Sequence, residues 1–417
     1  MYNLFDHRIT VKNLTDTPVF YHEYYHHIQN VSTILGGERL NLLMQFLAHT
    51  TNLASSHAPL HAPFNRWHEE GIKNGFSTPT LKRRLDNLVL HQDEWMYLDK
   101  INYKLRFFNK EECYDDNIAT LPNEEKGALE PYIIKDESGL ITGYPVGGFT
   151  ITESGAYALE LWHAQRFDPE ILDSLNDKNY QYLIVLDLMY RMIEDFRMAC
   201  LASFLFCDLA MIISTPSMGF LALYQTAKMV LTKGLTEEAL LKWYEASYFA
   251  FKDEIREGIS LEMGIITDIR KKKSGLNDII DNMIEFQLTL MERGLKIRLE
   301  RKLEFTKRLL SQNQEDLNYL MGAFPPSIIE TTDDGNVTYG SEEDLTNYEM
   351  LNASYNLYLG LCRNIDYILD HKDIIHTKKI SDTQFMFELQ RDGNNSDAYG
   401  YMLHTLGLTD KPITILK

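Results

Sequence analysis

Three histidines and a glutamate lie within six residues of the segment FYHEYYHHIQN, residues 20–30. His22, Glu23 and His26 fit the pattern H-E-x-x-H. On a helix, positions i and i+4 share one face, so both imidazoles can bind one tetrahedral metal ion. Glu23 is offset from that face, where its carboxylate can take a proton from a metal-bound water that attacks a carbonyl. The pattern predicts a hydrolytic metal site, in which His27 has no assigned role.

A catalytic zinc site needs a third protein ligand and an open fourth position. Glu153 is the best candidate, because it lies where a predicted strand, FTIT, leads into a predicted helix, SGAYALELW. The small residues Ser154, Gly155 and Ala156 would let that helix approach the first motif closely. A structural role stays open as an alternative, since an acidic residue near a helix N-terminus is a common cap.

The segments HEYYHHIQ and ITESGAYALE together resemble intracellular bacterial zinc metallopeptidases of the gluzincin type. In that pattern, H-E-x-x-H-x-x-Q is followed far downstream by a helix with a glutamate, two small residues, Ala and Tyr. The resemblance implies that His22, His26 and Glu153 bind one Zn²⁺ per chain. It also implies that Glu23 is the general base.

Further candidates for the site come from the same resemblance and from proximity in the sequence. The FCDLAM segment resembles a buried helix of these peptidases that carries an aspartate, which implies that Asp208 orients a ligand histidine. No motif identifies the residue that stabilises the oxyanion. Tyr144, Tyr157 and His163 are candidates because they lie near the third ligand in the sequence.

Two other functions remain open. Glu23 to His26 and Glu160 to His163 are both E-x-x-H, and two such motifs with two further glutamates form a di-iron site in helical bundles. That arrangement needs a ligand glutamate before the first motif, and no glutamate precedes Glu23. The other alternative is a helical interaction protein that binds no metal.

The composition restricts the partners and the compartment. The 417 residues include 41 Lys and Arg against 60 Asp and Glu, which gives a net charge of -19. Such a surface repels nucleic-acid phosphate and anionic lipid, so neither nucleic acid nor membrane is expected as a partner. Four widely spaced cysteines disfavour a disulfide framework, and the N-terminus lacks the pattern of a signal peptide. These features predict a cytoplasmic protein.

Helices are the main elements predicted to position this chemistry. Apolar residues recur at helical spacing over residues 17–52, although the pair Gly36 and Gly37 is expected to break the run. Further helices are predicted over 81–106 and 345–371. Residues 131–152 carry the best β signal, with a hairpin of YIIK and LITGY around the turn DESG, followed by the strand FTIT.

Two further segments are predicted as helices, one of them apolar and the other charged and amphipathic. Residues 198–213 are apolar and predict a buried helix rather than a membrane span, because Asp208 interrupts the apolar run. Residues 283–310 form an amphipathic stretch in which acidic residues are interleaved with basic ones. We therefore predict that its basic residues form a solvated face, which consists of Lys296, Arg298, Arg301 and Lys302.

The sequence as a whole predicts a mainly α fold with a small β-hairpin or sheet element. Residues 1–215 are predicted to form a zincin-like catalytic region, and residues 216–417 a helical region for recognition or regulation. The expected function is a zinc metallopeptidase that acts on a protein or peptide substrate. The size of the second region favours narrow specificity and a regulatory protein partner, as in a regulatory, defence or toxin-like peptidase.

Overall fold

Helices dominate the structure, which is a computed structural model. The fold is mainly α with a small β element, as predicted from the sequence. The structure describes residues 2–3, 8–13, 17–37, 40, 60–62, 132–135, 141–144, 148–175, 179–213, 216–271, 278–301, 303–326, 328–331, 333, 337–339, 375–381, 384–389 and 413–416. The predicted helices over 81–106 and 345–371 lie outside these residues.

The described helices are short to medium in length and follow one another closely after residue 148. They are α1 (Thr17–Ser32), α2 (Gly148–Ala164), α3 (Tyr180–Ile193), α4 (Phe196–Ile213), α5 (Pro216–Val230), α6 (Glu237–Ala250), α7 (Lys252–Lys271), α8 (Asp278–Glu300), α9 (Glu304–Leu310) and α10 (Gln314–Ala323). A 3-10 segment, Pro169–Ser174, lies between α2 and α3.

Short strands form small sheets within the described residues. One sheet has the order β1-β2-β6-β7, another has the order β3-β10-β9-β8, and β4 pairs with β5. The strands are β1 (Tyr2–Asn3), β2 (Arg8–Val11), β3 (Leu60–Ala62), β4 (Tyr132–Lys135), β5 (Ile141–Tyr144), β6 (Ile328–Thr331), β7 (Val337–Tyr339), β8 (Ile375–Ser381), β9 (Gln384–Leu389) and β10 (Ile413–Leu416). The antiparallel pair β4–β5, with Tyr132 opposite Tyr144, is the predicted hairpin.

The helix α1 carries the H-E-x-x-H pattern and is buried along most of its length. From Phe20 to Ser32, every residue except Glu23 is buried. The helix ends at Ser32, and a further helical turn follows Thr33, whose Oγ1 accepts a hydrogen bond from the amide of Gly36. The break therefore occurs at Thr33 and not at the glycine pair as predicted, because Gly36 and Gly37 lie within the following helical turn. Residues 41–52 of the predicted helix lie outside the described residues.

The predicted strand FTIT is wrong, because these residues form the start of α2. A run of β-branched residues favours a strand locally, but Thr150, Ile151 and Thr152 are fully buried in a helix that packs against α1, α3 and α4. Tertiary packing overrides the local preference. Glu153 consequently lies in the second turn of α2, beyond the first turn where a carboxylate caps a helix.

The predicted buried helix is α4, and it forms the centre of the core. All of its residues except Arg197 are buried. By length and composition alone it could cross a membrane, but 94% of that stretch is buried inside the protein, as in a core helix. Gly155 of α2 packs against it, since a Cβ at Gly155 would lie 2.8 Å from the Cβ of Cys207. The sequence predicted that these small residues approach α1. At Gly155 the tightest contact is instead with α4, and a Cβ there would lie 3.4 Å from Cε1 of Tyr25 on α1.

The predicted solvated face of α8 is partly wrong. Lys296 and Arg301 are exposed, but Arg298 is fully buried. Gly294 brings α8 close to α1, because a Cβ at Gly294 would lie 2.2 Å from the carbonyl oxygen of Val31. That approach carries Arg298 into the core, where it forms an ion pair with Asp208.

Candidate metal centre

His22 and His26 lie one turn apart on the inner face of α1. Each residue is 7% exposed, and their Nε2 atoms are 3.2 Å apart. The rings meet edge to face, with centroids 4.9 Å apart. Both imidazoles therefore direct the same nitrogen at one point, as the i, i+4 spacing predicts for two ligands of one ion.

Glu153 on α2 completes a triangle of donor atoms. Its Oε2 lies 3.5 Å from Nε2 of His22 and 3.4 Å from Nε2 of His26. For bonds of about 2.0–2.1 Å and tetrahedral angles, two ligand atoms of zinc are about 3.3–3.4 Å apart. The three atoms thus fit one face of a zinc tetrahedron, with a fourth position left for water or substrate. In the described part of the chain, these three side chains form the histidine and carboxylate group that could hold a metal ion.

Gln29 fixes the tautomer of His26. Nδ1 of His26 lies 2.8 Å from Oε1 of Gln29, and Nε2 of Gln29 donates to the carbonyl oxygen of Thr152. Because an amide oxygen only accepts, Nδ1 must carry the proton, and Nε2 is left with a lone pair for a metal. Gln29 is the glutamine of the H-E-x-x-H-x-x-Q pattern, and no role was predicted for it from the sequence.

Glu160 makes the corresponding contact to His22. It lies two turns after Glu153 on α2, and its Oε2 is 3.0 Å from Nδ1 of His22. The separation suits a hydrogen bond, although the N–H does not point along the line between the two atoms. Glu160 was considered only as an iron ligand, although its helical spacing from Glu153 already placed both carboxylates on one face.

The charges around the site favour a cation. Burial alone would lower the pKa of His22, but the adjacent carboxylates of Glu153, Glu160 and Glu23 raise it to about 10. Burial would raise the pKa of Glu153, but His26 and His22 hold it far below its usual range. The carboxylates that stabilise the proton on His22 would also stabilise a divalent cation at the same position.

Two tyrosines lie beside the triangle. The ring of Tyr182 is 6.1 Å from that of His22, and Tyr157 lies 5.6 Å from Tyr182. Burial raises the pKa of Tyr182, and the charge of Glu153 raises it further. Ser154 holds α3 against α2 by donating to the carbonyl oxygen of Gln181, 2.6 Å away. Tyr182 was missed by the sequence analysis because only the packing of α3 on α2 brings it to the site.

Glu160 and His163, the two ends of the second E-x-x-H sequence, contact different parts of the protein. Whereas Glu160 contacts His22, Nε2 of His163 donates to the carbonyl oxygen of Leu309, 2.6 Å away, and its ring stacks on Tyr21 at 3.6 Å. Burial lowers the pKa of His163, which keeps the ring neutral. His163 therefore attaches α9 to α1 and α2, and its Nε2 is not directed at the three ligands. Tyr144, the remaining oxyanion candidate, lies in β5.

Asp208 does not hydrogen-bond directly to a candidate histidine ligand, which is the contact that the sequence predicted. Its carboxylate accepts hydrogen bonds from Arg298, Tyr25 and Tyr244. The reason is that α4 packs against the side of α1 that carries Tyr25, one residue before His26. The groups that contact the ligand histidines are Gln29 and Glu160.

The position of Glu23 is compatible with the expected general base. It is half-buried, unlike its neighbours on α1, and its charge acts on both His22 and Tyr182. Its carboxylate is therefore close enough to both residues to act on them electrostatically.

Comparison of the chain with protein-family models, curated proteins and solved structures gives no match.

Proposed function

We propose that this chain is a zinc-dependent metallopeptidase. The observation that supports the proposal is the triangle of His22 Nε2, His26 Nε2 and Glu153 Oε2, whose sides of 3.2–3.5 Å match a zinc tetrahedron. Two imidazoles and one carboxylate are the ligand set of zinc hydrolases with an open position, and imidazole suits zinc better than magnesium or calcium.

Each side chain around the triangle has a part in the proposed hydrolysis. A bound zinc ion would supply Lewis acidity that activates water and polarises the substrate carbonyl. Glu23 would accept the proton of the attacking water and return it to the leaving amine. Gln29 and Glu160 would hold the imidazoles in place. Tyr182 would donate a hydrogen bond from its phenol hydroxyl to the developing oxyanion.

The substrate and the setting belong to the same proposal. A protein or peptide substrate is favoured because this ligand set, with a glutamate beside the first histidine, suits hydrolysis of an amide bond. We propose a cytoplasmic enzyme of narrow specificity, on the basis of the acidic surface and the extensive helical structure after α4. A di-iron site is disfavoured because His163 is engaged by Leu309.

Metal analysis of purified variants tests the proposal. Wild type is expected to hold about one zinc per chain, and His22→Ala and Glu153→Ala are expected to lose it. Glu23→Gln is expected to keep the zinc but lose cleavage of a peptide library, which separates binding from chemistry. About two irons per chain, or zinc retained in both ligand variants, would refute the proposal.

A further inference from the structure

Tyr25 belongs to α1, the helix of the two candidate histidine ligands, and its ring packs against α4 and α2. It precedes His26 on α1, and its ring is fully buried against Phe204 of α4, with centroids 5.1 Å apart. On the other side it meets α2, since a Cβ at Gly155 would lie 3.4 Å from the ring. Gly155 is two residues from Glu153. The position of this ring therefore sets the separation between the two histidines and the third ligand.

The hydroxyl of Tyr25 donates a hydrogen bond to the carboxylate of Asp208, which also accepts hydrogen bonds from other side chains. Asp208 is fully buried and accepts four hydrogen bonds. Its Oδ1 accepts from Tyr25 at 3.2 Å and from Nη2 of Arg298 at 2.7 Å. Its Oδ2 accepts from Tyr244 at 2.7 Å and from Nη1 of Arg298 at 2.7 Å.

Arg298 connects this carboxylate to α1 a second time. Its Nε and Nη2 both lie 3.3 Å from Oγ of Ser32, at the end of α1, and Ser32 donates to the carbonyl oxygen of Ile28. The planar guanidinium thus contacts Asp208 through one edge and α1 through another, a geometry that lysine cannot reproduce. Arg298 also lies over the ring of Phe305, 4.7 Å from its centroid.

We propose that the buried pair of Asp208 and Arg298 is a positioning device for the metal centre and acts through Tyr25. The pair contacts α1 at Tyr25 and at Ser32, on either side of His26 and Gln29. It therefore fixes both the rotation and the axial position of α1 relative to α4 and α8, and α4 packs directly against α2. This inference rests on the metal centre of the proposed function but not on peptide hydrolysis.

The alternative is that the pair only stabilises the fold. The two tyrosines of the cluster separate these possibilities, because each donates one hydrogen bond to a different oxygen of the same carboxylate. Tyr25 carries that bond to the ligand helix α1, whereas Tyr244 carries it to α6. Both tyrosines are fully buried. A purely structural role would make the two bonds equivalent, whereas a positioning role makes only the first matter for the metal.

The test compares Tyr25→Phe with Tyr244→Phe in the full chain. Zinc affinity is measured by competition with a chromogenic chelator, and the absorption spectrum of the Co²⁺-loaded chain reports ligand geometry. We expect Tyr25→Phe to bind zinc about tenfold more weakly, as for loss of groups that orient metal ligands, and to alter the Co²⁺ spectrum. Tyr244→Phe should bind zinc within about twofold of wild type, with an unaltered spectrum.

The other outcomes distinguish failure of this inference from failure of the proposed function. If both variants lose affinity equally, or if neither does, the pair has no specific role in positioning the ligands. If wild type binds neither zinc nor Co²⁺, the metal centre itself is refuted and the inference fails with it. If wild type and the variants bind metal as expected but no peptide is cleaved, peptidase activity alone is refuted and the positioning role stands.

Discussion

Oε2 of Glu160 lies 3.0 Å from Nδ1 of His22, the ring nitrogen opposite the one that faces Glu153. One helix, α2, therefore supplies both a ligand carboxylate and a carboxylate that supports a ligand. A carboxylate on the far side of a ligand imidazole orients the ring and increases its basicity.

Replacement of this supporting carboxylate should weaken metal binding without changing the ligand set. We expect Glu160→Gln to reduce zinc affinity by about 10–100-fold, since the charge beside His22 is lost while the side-chain volume is kept. Chelator competition measures the change. Glu170→Gln, at an exposed position of the 3-10 segment, is the control and should bind zinc like wild type. Equal affinities for all three chains would contradict the role given to Glu160.

Zinc binding should release a proton near neutral pH. With a pKa of about 10, His22 is protonated at pH 7 in the metal-free chain, and it must lose that proton before Nε2 can bind zinc. Below the pKa of His22, this proton competes with zinc for the imidazole. The zinc affinity should therefore rise by about tenfold per pH unit up to about pH 10. Calorimetry in buffers of different ionisation enthalpy should therefore give about one proton released per zinc at pH 7. Binding without proton release would show that His22 is neutral in the metal-free chain.

Removal of one partner from the buried ion pair should destabilise the fold strongly. Arg298→Met leaves the carboxylate of Asp208 buried and unpaired, which should lower the free energy of unfolding by about 3–5 kcal/mol. The double variant Asp208→Leu, Arg298→Met removes both charges and should cost less than Arg298→Met alone. Urea unfolding provides the measurement.

The matched control for the ion pair lies on the surface. Lys242 and Glu238 form an ion pair whose side chains are 72% and 77% exposed. Lys242→Met should therefore change the free energy of unfolding by less than about 1 kcal/mol. A loss in Lys242→Met as large as that in Arg298→Met would contradict the distinction.

A methyl group at Gly155 should disturb the packing of α2 on α4. The added Cβ would lie 2.8 Å from the Cβ of Cys207, so Gly155→Ala should lower the free energy of unfolding by about 1–3 kcal/mol. Gly322 in α10 has open space around the same position. Gly322→Ala should therefore stabilise the fold by up to about 1 kcal/mol, through helix propensity alone. Thermal unfolding compares the two, and the same sign for both would refute the packing argument.

Local patterns in the sequence were sufficient for the elements whose structure depends on local spacing. The helical face with His22 and His26, the buried helix α4 and the hairpin β4–β5 each follow from periodicity or turn residues within a short window. Glu153 was predicted as a ligand from the resemblance of its surroundings. The arrangement of the three donor atoms agrees with that prediction.

The remaining features depend on contacts between distant parts of the chain. Residues 149–152 have the composition of a strand, and burial of Thr150, Ile151 and Thr152 among three helices makes the segment helical. Arg298 lies in a stretch of alternating charges that is typical of a solvated surface, and only the close approach at Gly294 buries it. Tyr182 carries no motif, because its position depends on how α3 packs on α2.

The contacts that hold α1 have a consequence for the order of events during synthesis. Tyr24 donates to the carbonyl oxygen of Phe324, 300 residues later in the chain, and Ser32 meets Arg298, 266 residues later. At about 5–20 residues per second, a ribosome needs about 15–60 seconds to extend the chain from one partner to the other. During that interval the histidines have been synthesised, but the groups that hold their helix have not. We therefore expect the candidate metal centre to be completed only after residues 298 to 324 have been synthesised, and a nascent chain truncated before them to lack the assembled site.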